Sequence, residues 1–150
     1  MTDVPTNRSL LLKSLGIGLA SGGRASLGPA VTAFASDRPA PARAAALVAV
    51  AGELIGDKLP RASSRLKAPS LSGRVLSGAG TGAFLARSAG EPVLVPAAVA
   101  GGAAVVGSFA GLAWRRAWAR TGRPDLPAAV VEDAVVIGLA YAVYRATSSR

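Results

Sequence analysis

Charged side chains inside apolar segments are the residues of this sequence best placed to do chemistry. Half of its eight acids and one arginine fall within apolar stretches: Glu53, Asp57, Glu132, Asp133 and Arg24, with Lys58 beside the second acid. A carboxylate in an apolar setting must pair with a cation, meet water or take up a proton. These acids could carry protons or cations, with Arg24 as their counter-ion or as the ligand of an anion. A structural ion pair that joins helices is the alternative.

Other kinds of chemistry have few candidate residues. The chain contains no Cys and no His. Disulfides, thiolate catalysis and the usual zinc, haem and iron–sulfur sites are therefore excluded, and a nucleophilic triad would lack its usual base. We expect a protein without a metal or cofactor that is not an enzyme.

Composition places these charges in a membrane bundle. Hydrophobic residues make up 51% of the chain, aromatic residues only 5%, and the mean hydropathy is +0.41. Such small apolar side chains would fill a soluble core poorly, whereas they let helices approach closely in a bilayer. The expected fold class is an all-α integral membrane protein. A soluble, alanine-rich helical protein is the alternative.

Apolar stretches separated by charged or proline-containing breaks predict about five transmembrane helices in a single domain, 1–150. Their expected bounds are about 9–36, 41–59, 73–89, 92–114 and 127–146. The fourth is the clearest, since its 23 residues carry no charge and it ends beside aromatic and basic anchors. The first contains Gly22, Gly23 and Pro29, so it is either broken there or bent but continuous.

Basic residues predict the orientation. The net charge is +9, and nine of the 17 Lys and Arg residues lie within 58–74 and 115–126. This clustering follows the positive-inside rule rather than the footprint of a nucleic-acid-binding protein. We expect these loops to be cytoplasmic, in the inner (plasma) membrane. With five spans, the N-terminus would be cytoplasmic and the C-terminus outside.

The sequence repeats itself without a gap at an offset of 55. Matched positions include Arg61 with Arg116 and Pro69 with Pro124, and the four-residue glycine spacings match as well: Gly52 and Gly56 with Gly107 and Gly111. This predicts two tandem helix–loop–helix units related by an axis along the membrane normal, with the first helix outside the duplication. The glycines predict close helix packing, within the chain or between chains. The expected partners are membrane lipid and either further copies of the chain or a larger membrane complex.

Counting residues from the outer ends predicts the depth of the charges. Arg24, Glu53 and Glu132 should all lie roughly 18–20 Å from the outer surface, at 1.5 Å per residue. Arg24 could then pair with Glu53 or Glu132. We expect Glu53 to face the interior, with Arg24 or Lys58 as its nearest cation.

These segments resemble the domain of unknown function 4126 family of bacterial membrane proteins. The resemblance covers most of the chain and rests on GRA at 23–25 with the following Leu27 and Pro29, and on GELIGDKLP at 52–60. Gly73 and Arg74, at the start of the expected third helix, and the EDA at 132–134 in the last helix also look like family positions. The resemblance implies a multi-pass membrane topology and marks the charged residues, but it implies no activity.

Two functions fit these observations. The first is an oligomeric transporter or channel for an ion or small solute, with the charged residues along a polar path. The second is a non-catalytic accessory or scaffolding subunit, in which the same charges lock helices together. A water-filled cavity at Glu53 would favour the first, and a dry, paired cluster the second.

Overall fold

The structure is a computed structural model that describes residues 7–36, 38–56 and 68–148. Within these residues the chain forms six α-helices and no strand, which confirms the all-α prediction. The helices are α1 (Arg8–Gly23), α2 (Leu27–Ala35), α3 (Ala40–Gly56), α4 (Ala68–Ser88), α5 (Leu94–Ala119) and α6 (Asp125–Ser148).

The helix ends follow local rules. The side chain of Asn7 caps α1 by accepting a hydrogen bond from the amide of Ser9 at 3.0 Å. Gly90 and Gly122 adopt positive φ, 70° and 69°, in the turns after α4 and α5. Glycine suits such positions because it has no Cβ to clash in the left-handed region.

The single helix expected over 9–36 is instead two helices. Arg24 is extended, with φ −142° and ψ 110°, and it separates α1 from α2. Pro29 has no N–H to donate to the carbonyl of Ala25, as a continuous helix would require. Ser77 supplies that hydrogen bond instead, with its Oγ 2.5 Å from the Ala25 oxygen. Of the two alternatives left open by the sequence, the break is therefore the one that occurs.

α1 and α2 fold back on each other as a helical hairpin. Leu10, near the start of α1, and Ala35, at the end of α2, line the same pocket. The ring of Phe34 lies 6.4 Å from that of Tyr144, near the end of α6. We call residues 22–26 the hairpin tip, because the chain reverses direction there.

The other helices run up and down around this hairpin. α1 packs against α4, α5 and α6, whereas α2 packs against α3, α4 and α6. Glycines set the close approaches: Gly82 lies against Pro96 and joins α4 to α5, and Gly18 lies against Ala100 and joins α1 to α5. Gly23 lies against Val136, so α6 runs antiparallel to α1.

Both ends of the described chain lie at the same end of the bundle. Asn7 and Thr147 line one pocket, and Nζ of Lys13 donates to the carbonyl of Ala146 at 2.8 Å. The reason is the hairpin: its second leg returns the chain to the end where α1 begins, and the four helices that follow the hairpin run alternately up and down and finish at the same end. The expected sidedness of the termini stays a prediction.

Several polar and charged side chains are buried, and many large apolar side chains are exposed. The buried side chains include Ser14, Ser21, Arg24, Arg74, Thr81, Ser108, Glu132 and Asp133. Large apolar side chains point outward, including Val48 at 71% exposed and Leu76 at 72% exposed. Within the described residues, α5 and α6 are long and apolar enough to cross a membrane. The expected five-span arrangement is therefore not confirmed.

The repeated glycines behave differently in the two units. Gly107 packs closely on the backbone of Leu19, and Gly111 lines a crevice beside it. A Cβ at Gly52 or Gly56 would meet nothing within 4 Å among the described residues. Of these four repeated glycines, Gly107 is the one that packs closely on another helix among the described residues. α3 and α5 run in the same direction, as do α4 and α6. That the two units superpose by a rotation about the membrane normal stays a prediction.

The hairpin tip as candidate functional site

Four helices bring polar side chains to the hairpin tip. The side chains that reach it come from α3, α4, α5 and α6, and they are Glu53, Arg74, Ser77, Ser108 and Asp133. A helix break exposes backbone carbonyls at the end of α1 and backbone amides at the start of α2. Each of these side chains matches one of those groups or the charge of Arg24.

Arg24 is the centre of the cluster and is only 2% exposed. Its Nε donates to Oδ1 of Asp133 at 3.0 Å, and its Nη2 donates to the same oxygen. Its Nη1 donates to the backbone carbonyl of Glu53 at 3.2 Å. The expected carboxylate partner was Glu53 or Glu132, so the pairing with Asp133 corrects the sequence-based prediction. Asp133 lies one residue further along α6, on the face that meets α2.

Glu53 binds the start of α2 instead of a cation. Its Oε1 accepts from the amide of Ala25 at 2.9 Å, and its Oε2 accepts from the amide of Ser26 at 2.9 Å and from the hydroxyl of Ser26 at 2.6 Å. The amides at a helix start attract negative charge, and α2 has no side-chain cap of its own. The half-helix start thus holds an anion, and that anion is a carboxylate of the same chain.

The carbonyls at the end of α1 are bound by two further helices. The Gly22 oxygen accepts from Nη1 of Arg74 at 2.6 Å and from Oγ of Ser108 at 3.0 Å. A cation at the end of a helix complements its dipole. Sequence analysis assigned Arg74 to a cytoplasmic loop, yet it is only 3% exposed. The available signal was its position one helical turn before Ser77, inside the apolar segment.

Glu132 lies beside the tip rather than in it. It is 8% exposed, and its Oε2 is 3.6 Å from Nη1 of Arg115, which also pairs with Asp125. Glu132 is one of the residues that line the crevice between α5 and α6. Asp57 and Lys58, the remaining candidates from the sequence, lie outside the described residues. The structure therefore brings Arg24, Glu53 and Asp133 together and sets Glu132 on a neighbouring face.

The tip joins two helix ends of opposite polarity and surrounds them with charges of both signs. The carboxylate of Glu53 faces the amides at the start of α2, and the guanidinium of Arg74 faces the Gly22 carbonyl at the end of α1. A small ion of either sign could take the place of such a charge at a helix end.

The architecture is an all-α bundle in which four long helices surround a broken helical hairpin. No family model, curated protein or solved structure matches this chain. What it does is therefore argued from the hairpin tip and from the distribution of polar and apolar surface.

Proposed function

We propose that the chain is a multi-pass protein of the bacterial inner membrane. α3, α4, α5 and α6 cross the bilayer, and the α1–α2 hairpin enters and leaves on one side. Support comes from the many large apolar side chains that face outward and from the buried charges of Arg24, Glu132 and Asp133, both of which are unusual in a soluble protein. Non-helical backbone is tolerated at membrane depth only inside protein, which is where the hairpin tip lies.

The proposed orientation follows from the basic segments. The end of the bundle that carries Arg116, Arg120 and Arg123 faces the cytoplasm. Because α1 and α2 form a hairpin, the N-terminus and the C-terminus then both lie outside. An outer C-terminus agrees with the expectation from the sequence. An outer N-terminus replaces the cytoplasmic N-terminus expected there.

Within this membrane protein we assign the hairpin tip as the path of an ion or small solute. The single observation that carries the assignment is the carboxylate of Glu53 on the amides of Ala25 and Ser26. Transporters and channels build such sites from discontinuous helices, whose ends coordinate the permeating species. The tip is closed here, because Glu53 occupies the start of α2 and Arg24 is paired.

Passage requires Glu53 to leave the start of α2. A proton or cation that neutralises its carboxylate weakens its attraction to the helix start, since that attraction depends on negative charge. The freed amides and the buried guanidinium of Arg24 then attract an anion or water. The proposed role is non-enzymatic and needs no cofactor.

Flux measurements on purified protein in liposomes test this proposal. Potassium, chloride and proton fluxes are recorded for the wild-type protein, for Glu53→Gln and for Glu91→Gln. Glu91 is the matched control, because it lies in the turn between α4 and α5 at the end of the bundle away from the loop-side arginines. We expect flux of at least one ion, a loss in Glu53→Gln and no change in Glu91→Gln. The absence of all three fluxes, or equal flux in Glu53→Gln, contradicts the proposal.

A second candidate is an accessory or scaffolding subunit. It is favoured by the pairing of Arg24 with Asp133, whose side chains are only 2% and 11% exposed, as in a structural lock. In both cases the unit is a homo-oligomer or part of a membrane complex, an assignment supported by α3. That helix has no buried residue, and Gly52 and Gly56 are open to a neighbour. Binding of a partner complex together with zero flux identifies this second role.

A further inference from the structure

A crevice separates α5 from α6 on the face of the bundle that also includes α1. Its volume is about 430 Å³, within the range of about 300–1,000 Å³ typical of sites that hold a small molecule. It exists because α5 presents small residues there, Gly107, Ala110 and Gly111. Val131 and Val135 line it and are about half exposed, so it opens toward the outside of the bundle. In the proposed orientation that outside is the hydrocarbon of the bilayer.

The walls of this crevice are apolar. Leu19, Val135 and Leu139 form its sides, and Glu132 is the one charged residue among the described residues that line it. Oε2 of Glu132 is buried and lies 3.6 Å from Nη1 of Arg115, so a cation of the protein already faces this acid. A polar molecule would lose its bonds to water on entering such a crevice, whereas an alkyl chain has none to lose. The crevice therefore favours an alkyl chain.

Two tryptophans continue the crevice toward the cytoplasmic end of the bundle. Trp114 lines the crevice, and the ring of Trp118 lies 5.7 Å from its ring. Both indoles are fixed by hydrogen bonds, from Nε1 of Trp114 to the carbonyl of Ala128 at 3.0 Å and from Nε1 of Trp118 to the carbonyl of Pro124 at 2.9 Å. Tryptophans of this kind mark the level at which lipid chains meet their headgroups.

A cation stands at the end of this tryptophan pair. The guanidinium carbon of Arg123 lies 5.9 Å from the centre of the Trp118 ring. Contact with an aromatic face leaves the N–H groups of a guanidinium available for phosphate, which they match in geometry. Within the described part of the chain no carboxylate pairs with Arg123, Arg116 or Arg120.

The charge around Arg123 favours an anion. From Trp114 to Glu132 the chain has four arginines and two acids, and one of these acids, Asp125, pairs with Arg115. The segment 57–67 lies outside the described residues, and its sequence holds four basic residues and one acid, so its net charge has the same sign. The apolar crevice thus leads, through two indoles, to a basic end of the bundle.

We propose that the α5–α6 crevice and Arg123 form a binding site for an anionic phospholipid of the cytoplasmic leaflet. One acyl chain lies in the crevice against Leu19 and Val135, the glycerol region lies beside Trp114 and Trp118, and Arg123 binds the phosphate. Anionic lipids are concentrated in that leaflet, where they attract basic residues. The assignment rests on the proposed membrane orientation of the chain and does not require ion passage at the hairpin tip.

Tryptophan fluorescence reports on this site, because the two tryptophans of the chain, Trp114 and Trp118, both belong to it. The purified protein is reconstituted into phosphatidylcholine vesicles, and its flotation with them after an alkaline wash establishes that it is incorporated. Increasing fractions of the lipid are then replaced by phospholipid brominated in the upper part of one acyl chain, since bromine quenches an indole that it contacts. Brominated phosphatidylglycerol should bind at least about fivefold more tightly than brominated phosphatidylcholine.

Two pairs of variants separate the headgroup from the acyl chain. Arg123→Gln removes the cation and should lower the preference for phosphatidylglycerol about fivefold. Arg87→Gln is its control, because it removes an exposed arginine in the last turn of α4, at the other end of the bundle, and it should keep the preference. Ala110→Leu fills the crevice and should reduce quenching by phosphatidylglycerol to the level given by phosphatidylcholine. Ala113→Leu, the same change on an exposed part of α5 outside the crevice, should behave as the wild-type protein does.

The outcomes that overturn the assignment are distinct from failure of the membrane placement. Wild-type protein that does not float with the vesicles refutes the membrane placement and this site together. With incorporated protein, equal quenching by the two lipids, or an equal loss of preference in Arg123→Gln and Arg87→Gln, shows that no headgroup site exists at Arg123. Equal quenching in Ala110→Leu and Ala113→Leu shows that the acyl chain does not enter the crevice.

Discussion

Arg24 and Asp133 are joined inside the bundle although 109 positions separate them in the chain. Nε of Arg24 donates to Oδ1 of Asp133 at 3.0 Å, and the two side chains are only 2% and 11% exposed. One residue belongs to the hairpin tip and the other to the last helix. Their pair therefore ties the α1–α2 hairpin to α6.

Removing one member of this pair should destabilise the protein more than removing both. Arg24→Met removes the guanidinium that faces the buried Asp133, and Asp133→Leu removes the carboxylate that faces the buried Arg24, and each single change should cost about 3–5 kcal/mol. The double variant carries no uncompensated charge from this pair and should recover much of the loss. Unfolding in mixed detergent micelles measures all three, with Arg116→Met as an exposed control. Additive losses in the double variant would show that the two residues are not coupled.

Glu53 should protect the start of α2 from solvent exchange. Glu53→Ala removes the acceptor for the amides of Ala25 and Ser26 and leaves these half-buried donors without it, at about 1–3 kcal/mol. Hydrogen–deuterium exchange of the segment around 25–28 should then be faster by about tenfold or more. Glu91→Ala is the control for loss of an acid elsewhere. Unchanged exchange in Glu53→Ala would mean that the carboxylate does not cap α2.

Two glycine-to-alanine substitutions should change the stability of the protein in opposite directions. A Cβ at Gly22 would lie 2.3 Å from the carbonyl oxygen of Ala104, so Gly22→Ala forces α1 away from α5. Overpacking of this kind costs about 1–3 kcal/mol. Gly52→Ala meets nothing within 4 Å among the described residues and should stabilise α3 by about 0.5–1 kcal/mol, the helix preference of Ala over Gly. Thermal unfolding in detergent measures the stability of both variants, which should fall for Gly22→Ala and rise for Gly52→Ala. A destabilising Gly52→Ala would instead indicate that a second copy or a partner packs on α3.

The proposed topology predicts the sidedness of labelling. Because the chain contains no Cys, single-cysteine variants need no background removal. Ser9→Cys and Ser148→Cys should react with an impermeant maleimide applied outside intact cells, since both residues lie at the terminal end of the bundle. Thr121→Cys, in the turn after α5, should react only after the membrane is opened. Opposite sidedness of Ser9→Cys and Ser148→Cys would rule out the hairpin in the membrane.

Much of the local structure was readable from the amino-acid order. The charge-free run before Trp114 predicted a long helix, and α5 covers it. Gly22, Gly23 and Pro29 marked a helix that either breaks or bends, since glycine loosens the backbone and proline removes a donor. The requirement that charges in apolar segments find partners placed Arg24, Glu53 and Asp133 among the candidate residues. Each of these inferences depends on neighbours a few positions away.

Only the tertiary structure decided where the chain goes after the break and which charges meet. After a break, the second half of a helix either continues in the same direction or turns back along the first half. Contacts such as that of Phe34 with Tyr144 decide between the two, and because these residues lie 110 positions apart, they leave no periodic signal in the sequence. The role of Arg74 also depends on a distant contact. The sequence predicts a basic loop residue, whereas in the structure its guanidinium donates to the Gly22 carbonyl at the end of α1. Helical periodicity and breaks are set by hydrogen bonds over three or four residues, whereas chain direction and ion pairing are set by packing between distant helices.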